Sequence, residues 1–570
     1  MLVRSRSTGP LTCKTMLRTH RPWYIVVSVA ALVLGASGCT SPVEYIRNSF
    51  KVGPNYQGAQ ASVAPHWIDE TDARVRPQPA DLTQWWSVFN DPVLNGLIEC
   101  ASRQNLSLRE AGFRILEARA ELGITEGRML PQVQQANASY TRLNFSGANP
   151  LTYSVNNATA SATFDGFTGP ITVNNGQFAL VPPVGNESWG LGMNLAWELD
   201  FWGRFRRAVV AAEDTLEAHC ADYNGVMVTL LADVAMNYVK LRTYQREIQV
   251  TRENIALQRH SMEIARRRFE EGQANDRDLN EARSTLAETE ALIPGFERQL
   301  RAAANRLCVL MGIPPANLES QLGVGPIPSV PTAVVVGVPA DLLRRRPDIC
   351  RAERLAAAQA EQIGIAEANL YPIFSINGSL GYSAASFSQL FQSTAFAGTI
   401  GPGVQWNILN YGRIRNNMKV QEDKFQELLV VYQRMVLQAA EEVETGVSNF
   451  LREQERSKLL DESVNAEQLA VNTVLKQHAA GAVDFLTVDT YQRYLVGKQD
   501  AQAQVQGAVA GYLIEVYRAL GGGWKCPAGA AESGRAVAPP SAPPPDEEVP
   551  LPPPGAPTAL LDDTPPPGMK

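Results

Sequence analysis

Two ten-residue segments of this chain are near copies of each other. Trp197-Glu-Leu-Asp-Phe-Trp-Gly-Arg-Phe-Arg206 and Trp406-Asn-Ile-Leu-Asn-Tyr-Gly-Arg-Ile-Arg415 share the Trp, the Gly-Arg pair and the final Arg, 209 residues apart. The same shift carries Gly272 onto Gly481 and Leu310-Met-Gly312 onto Ala519-Leu-Gly521. Upstream, Ile124 and Pro131 map onto Ile365 and Pro372 with a shift of 241, so the first copy holds 32 extra residues between Pro131 and Trp197. A repeat of this kind builds one unit twice, and any fold assigned to the chain must contain that unit in duplicate.

Bulk chemistry removes several function classes. A net charge of −7 offers no basic face for nucleic acid. The five His are scattered and the seven Cys form no CxxC pair, which leaves neither a metal cluster nor a disulfide framework. HExxH, GxSxG and P-loop patterns are absent, and Gly401-Pro-Gly403 lacks the third Gly of a dinucleotide turn. The expectation is a non-enzyme without metal or cofactor.

The N-terminus reads as an export signal. Arg4, Arg6, Lys14, Arg18 and Arg21 precede a short apolar run, Tyr24 to Leu34, which is too short to span a bilayer. Ala36-Ser-Gly-Cys39 follows and resembles the lipobox of bacterial lipoproteins, with Ala36 where Leu is usual. That resemblance implies cleavage after residue 38 and diacylglycerol and N-acyl chains on Cys39. Thr40, not Asp, follows the Cys, which by analogy with lipoprotein sorting favours the outer membrane. Several acyl chains at about 0.8 kcal/mol per buried CH₂ anchor firmly.

Four segments alternate with period two. From Trp189 to Leu199 every odd position is large and apolar; from Phe374 to Tyr382 the even positions are, except Gly378; from Ile400 to Ile408 the apolar set is Ile, Pro, Val, Trp, Ile. Val133 to Leu143 alternates weakly and is inferred from the repeat. Alternation puts one set on each face of a sheet, and nine to eleven residues suit a tilted strand crossing a bilayer. Four strands cannot close a barrel, and an open edge in lipid leaves backbone groups unpaired. Strands of this kind in a membrane require several chains to share one barrel.

Heptads fill the stretches between. Val234, Leu241, Ile248, Ile255, Met262 and Phe269 lie seven apart, as do Leu279, Leu286, Ile293, Leu300 and Leu307. The second copy answers with Val443, Phe450, Val464 and Val471, then Val488, Leu495, Val509 and Val516. Such spacing predicts coiled-coil packing of long helices. A helix from Arg204 to Glu271 is about 100 Å long at 1.5 Å per residue. Shorter helices are expected over Leu94–Leu130 and Leu342–Tyr371, Pro294 should kink its run, and Gly272–Asp278 and Gly481–Thr487 should turn the chain at the far tip of a rod.

At this point the chain resembles the TolC-like outer-membrane efflux proteins, in the lipoprotein branch that includes OprM and NodT. The resemblance rests on Leu342-Leu-Arg-Arg-Arg-Pro-Asp-Ile349, Arg351-Ala-Glu-Arg354, Ile363-Gly-Ile-Ala366, Val52-Gly-Pro-Asn-Tyr56, Trp85-Trp-Ser-Val-Phe-Asn-Asp-Pro92 and Ala519-Leu-Gly-Gly-Gly523, and covers about residues 39 to 524. It implies a mixed α and β membrane protein: a trimer with a 12-stranded β-barrel, four strands per chain, continued by a long α-helical coiled-coil barrel into the periplasm. It further implies a periplasmic adaptor and an inner-membrane transporter as partners, outer-membrane lipid around the barrel, and passive exit of drugs, metals or other small molecules. A conduit for secreted proteins and a non-conducting periplasmic tether are the competing readings.

The domain order follows: signal peptide 1–38, N-terminal anchor and extended segment 39–93, first repeat 94–322 with hairpin 133–199, linker 323–340, second repeat 341–524 with hairpin 373–409, and a Pro-rich tail 525–570 too poor in apolar residues to build a core. Arg344 to Arg346 read as the opening of a helix at Pro347, not as an anion site. Related channels close at the tip with acidic rings, so Asp484 and Asp489, with Asp276 and Asp278, are the candidate periplasmic gate. The branch tends to place Asp where Thr490 stands here. One residue turns a side chain about 100° around a helix, which aims Asp489 at a neighbouring helix. Asp276 and Asp278 also suit a plain helix cap. The connection Asn144 to Ser188, rich in Asn, Thr, Gly and Pro, reads as an exposed loop.

Overall fold

The computed structural model describes residues 42–78, 81–143, 151–154, 172–174, 177–180, 186–272, 275–341 and 345–524. The leader, Cys39, most of the Asn144–Ser188 connection, Leu342–Arg344 and the tail beyond Trp524 lie outside them.

The duplication is visible in the backbone. Each copy runs from short helices into an antiparallel hairpin, then a very long helix, a turn and a returning helix. The first contains α2 (Pro92–Gln104), α3 (Leu106–Gly127), strands β2 (Val133–Leu143) and β6 (Asn186–Leu199), α4 (Arg204–Glu270), α5 (Asp276–Glu290) and α6 (Leu292–Leu310). The second contains α8 (Pro347–Ala368), β8 (Ile373–Ala384), β9 (Phe396–Gln405), α9 (Arg413–Ala479) and α10 (Phe485–Ala519). Ahead of the first lies a short helix α1 (Pro42–Arg47), and between them a short helix α7 (Leu318–Leu322). Two-residue strands β1 (Val75–Arg76) and β7 (Val334–Val335) pair in parallel, tying the N-terminal segment to the linker. Inside the first connection β3 (Leu151–Ser154), β4 (Thr172–Asn174) and β5 (Gln177–Leu180) form a small sheet of their own.

Both long helices span 67 residues, about 100 Å. Equivalent glycines delimit them. Gly203 and Gly412 each enter at φ +81°, and Gly272 and Gly481 leave at +72° and +74°. At Gly481 the helix closes with Gly481 N–H donating to His478 O and Ala482 N–H to Gln477 O, both at 2.9 Å, the paired bonds that satisfy the last carbonyls. The returning helices end the same way, at Gly312 (+75°) and Gly521 (+72°).

The heptad residues form the core. Val234, Leu241, Leu307, Val443, Phe450 and Val516 are fully enclosed. The run fails only at its end, where Phe269 reaches the surface 40% exposed. α8 lies against both long helices, α3 against α4, and α10 against α9 and α4.

Three expectations are corrected. Leu94–Leu130 is not one helix: Asn105 breaks it, its amide donating to Leu310 O at 2.8 Å while its carbonyl oxygen caps α3 by accepting from Leu108 N–H at 2.9 Å. The second short helix begins at Pro347, with Arg346 as the residue before it, buried against Asp348, Glu442 and Ala519 O. The last strand covers Phe396–Gln405, because its partner starts at Ile373, directly after Pro372, which has no N–H to extend the ladder. The interruption expected at Pro294 falls at Ala291, a single residue between α5 and α6 that keeps helical torsions (φ −68°, ψ −16°), because Pro294 has no N–H for the Glu290 carbonyl. The equivalent position of the second copy is Ala503, and α10 runs through it unbroken.

Candidate functional site

The four long strands form one antiparallel sheet in the order β2-β6-β8-β9. Its register brings most of the large apolar residues to one face: Trp189, Leu191, Met193 and Leu195 on β6, Phe374, Ile376, Leu380 and Tyr382 on β8, and Ile400, Pro402 and Val404 on β9, with Gln134 and Arg142 of β2 and Glu187 of β6 on the same side. The other face carries Gln135, Asn137, Ser139, Asn194, Ser375, Asn377, Ser379 and Thr399 among glycines. Nothing described covers the apolar face, where Ile400 is 78% and Val404 66% exposed. Eleven residues make about 37 Å of strand, or about 26 Å of height at the ~45° tilt of barrel strands, close to the apolar band of an outer-membrane barrel. Aromatic rings gather at both ends. Tyr140, Trp189 and Phe387 touch in series at one, with Phe391, Tyr382 and Phe396 beside them. Phe201 meets Phe374 at the other. Strands β2 and β9 each have one neighbour, so both edges present unpaired backbone groups. No helix among the described residues is long and apolar enough to cross a membrane.

Each hairpin is joined to its helices by the duplicated motif. Trp197 Nε1 donates to Met129 O at 3.2 Å, and Trp406 Nε1 to Leu370 O at 2.9 Å. Those acceptors are themselves equivalent in the two copies. Trp202 Nε1 donates to Pro372 O at 2.7 Å and its ring stacks on Tyr371. Its counterpart Tyr411 is 97% exposed.

Below this elbow the N-terminal segment is clamped. Arg207, fully buried, donates to Val52 O, Gly53 O and the Glu361 carboxylate, each at 2.6 Å. Only glycines fit there, since a Cβ on Gly53 would sit 2.6 Å from Gly364 Cα. Midway along the rod Glu247 on α4 meets Asp500 and Gln504 on α10. Burial, and then the Asp500 charge, push its carboxyl up to about 7.

The far tip holds the predicted acids. Asp484 is the N-cap of α10: its carboxylate accepts from Thr487 N–H at 3.0 Å and from the Thr487 hydroxyl, which hold it below the usual carboxylate range. Asp489 is 1% exposed and paired with Arg493 at 2.6 Å. Arg493 in turn reaches Glu281 on α5 at 3.6 Å. Asp276 and Asp278 sit in the first turn of α5, Asp276 exposed and Asp278 near Arg277 at 3.5 Å. The four acids therefore divide, Asp484 and Asp276 in the open, Asp278 half-buried and Asp489 inside the chain. Sequence reasoning missed two cross-links. The Asp489–Arg493 pair was readable as an acid four residues before a base on one helix face. Arg268 donating to His478 O at 2.9 Å, with His478 Nδ1 on Val483 O at 3.0 Å, joins the ends of α4 and α9, and no local pattern announces it.

Comparisons with known proteins agree with this geometry. The sequence model of the family described as outer membrane efflux protein matches residues 182–313 and 338–522. The chain is 27% identical over 460 residues to the pyoverdine export outer membrane protein OpmQ of Pseudomonas putida, covering 80% of this chain and 92% of that one. It is 27% identical over 474 residues to nodulation protein T of Rhizobium leguminosarum bv. trifolii, covering 83% and 94%. Among solved structures the outer-membrane channel OprN superposes with a TM-score of 0.73 at 29% identity, over 83% of this chain and 99% of that one.

Proposed function

Because this chain belongs to the outer membrane efflux protein family, we propose that three copies close its four-stranded sheet into a twelve-stranded barrel. The protein is an outer-membrane efflux channel, and the proposal concerns how it is assembled and gated. The observation that carries the reading is the sheet itself, predominantly apolar on one face and open at both edges. In lipid that surface is satisfied only by joining β2 of one copy to β9 of the next.

The duplication supports the same closure among the helices. Within one chain α8 fills the groove between α4 and α9. Its counterpart α3 packs on α4 and leaves Phe113 61% and Ile124 60% exposed, while α9 leaves Val430 62% and Leu437 61% exposed. By repeat equivalence α3 of one copy fits the outer face of α9 in the next, and Tyr411 takes the place that Trp202 holds within the chain. A tube of helices then continues the barrel pore into the periplasm.

Asp484 and Asp276 form exposed acidic rings at the tip, and a narrow carboxylate ring concentrates cations. Asp489, Arg493 and Glu281 hold α10 to α5, and Asp278 closes the first turn of α5. The chain itself catalyses nothing. An inner-membrane transporter selects small-molecule cargo, as the pyoverdine export named for OpmQ suggests, and a periplasmic adaptor joins the two. Acyl chains on Cys39 anchor the outer end.

Single-channel recording of the detergent-purified protein in a planar bilayer tests this. Small cation-selective steps are expected, with selectivity reduced by Asp484→Ala and step size increased by Arg493→Ala. A verified folded assembly that never conducts, even with the tip turns removed, overturns the duct and leaves the tether.

A further inference from the structure

The helix α1 begins three residues after Cys39 in the sequence. Its inner side is bolted to the elbow. The Tyr45 hydroxyl donates to Phe201 O at 2.5 Å, and its ring packs on Trp202 and Phe50, each at 5.5 Å. Arg206 donates to Ser49 O at 2.7 Å and Phe50 O at 2.8 Å, and the Asn48 amide reaches Lys51 O at 3.1 Å. The helix is therefore held in a fixed orientation. On the helix Val43 and Ile46 are 72% and 63% exposed beside the exposed Glu44 and Arg47, and Phe50, three residues past its end, is 52% exposed.

A chain gains nothing from fixing three large apolar residues toward water, because burying each is worth about 2 kcal/mol. The neighbouring surface identifies the occupant. Phe201, itself 49% exposed, contacts Phe374 at 4.7 Å, and Phe374 opens the apolar face of the sheet. Tyr45, bonded to Phe201 O, thus sets α1 beside the end of that face from which the long helices leave. We propose that α1 is a lipid-contacting foot, lying in the periplasm-facing leaflet with Val43, Ile46 and the following Phe50 among acyl chains and Arg47 at the level of the phosphates. The proposal rests on the membrane reading of the sheet. It gives the chain a second attachment beside any lipid on Cys39, and one signal plus another is what firm anchoring requires.

The test places the photocrosslinker p-benzoylphenylalanine singly at Ile46, Met193 or Leu459 of the full-length protein, reconstituted in phosphatidylethanolamine–phosphatidylglycerol vesicles. Each is made with Cys39 intact and with Cys39→Ser. Met193 lies on the apolar sheet face and Leu459, 67% exposed, on the long helix α9. Lipid adducts from positions 46 and 193 in both backgrounds, and none from 459, are expected. Adducts from 193 without any from 46 overturn the foot and leave the sheet reading intact. A chain-to-chain adduct from 46 overturns it in favour of a contact between copies. Absence of adducts from 193 removes the membrane reading and the foot with it.

Discussion

Arg207 is a fully enclosed guanidinium whose three partners belong to two other parts of the chain, the N-terminal segment twice and α8 once. Arg207→Ala strands the Glu361 carboxylate in a dry site, and losing one member of a buried pair costs about 3–5 kcal/mol. The expected outcome is a lower unfolding temperature together with faster proteolysis in residues 42–56. A double change, Arg207→Met with Glu361→Leu, should recover much of the loss. Glu247 gives a second prediction. Its carboxyl is raised from 4.5 to about 7 by burial and by Asp500, so between about pH 4.5 and 7 the folded chain binds a proton that the unfolded chain has released. Stability from this group is complete below that window and is lost as pH rises through it, by roughly 3 kcal/mol. Melting temperatures at pH 5 and pH 8 should therefore diverge more for the native protein than for Glu247→Gln, which keeps a neutral hydrogen-bonding group. Neither residue was legible in the sequence. A buried Arg and a carboxyl pair look like ordinary helix polar positions until the helix facing them is known, and contact across 154 residues of chain leaves no local trace.

Elements were far more legible, for a reason that shows in their exceptions. Period two located β6, β8 and β9 because their residues on one face are predominantly apolar, and it was weak in β2, where that face holds Gln134 and Arg142. It overran at Ile408 because side-chain alternation continues where the hydrogen-bond ladder stops, and the stop is set on the partner strand by Pro372. Heptads located the long helices but could not see Asn105, whose amide bonds Leu310 O far away in sequence. Two helix-ending glycines allow a controlled comparison. At Gly481 a Cβ meets nothing within 4 Å, so Gly481→Ala should cost only the left-handed backbone strain, about 1–2 kcal/mol. At Gly312, with nearly the same φ, a Cβ would lie 2.5 Å from Gln104 O, and Gly312→Ala should destabilise distinctly more in denaturant titration. Pro294→Ala should fuse α5 with α6 in the manner of α10. Slower amide hydrogen exchange over residues 290–295 is the expected sign.

At the scale of the whole molecule, the duplication announced two equivalent halves, but not that α8 would fill a groove which α3 leaves unfilled. That asymmetry predicts a specific failure. Phe113→Asp puts a charge on the exposed side of α3 without touching the core of its own chain. Native mass measurement in mild detergent should then show single protomers, where the unaltered protein gives roughly three times the protomer mass. A persistent trimer overturns the α3–α9 contact.

Equal glycine turns in the two copies also bear on what an approaching partner meets at the periplasmic end. In the proposed threefold assembly the backbone repeats six times around the axis, since Gly272 and Gly481 end helices of equal length in the same conformation. Side chains do not follow, because Phe269 stands where the other copy has His478. The rim is a crown with two alternating kinds of tooth. A docking protein can engage all six clefts by shape, and tell neighbouring clefts apart by chemistry alone.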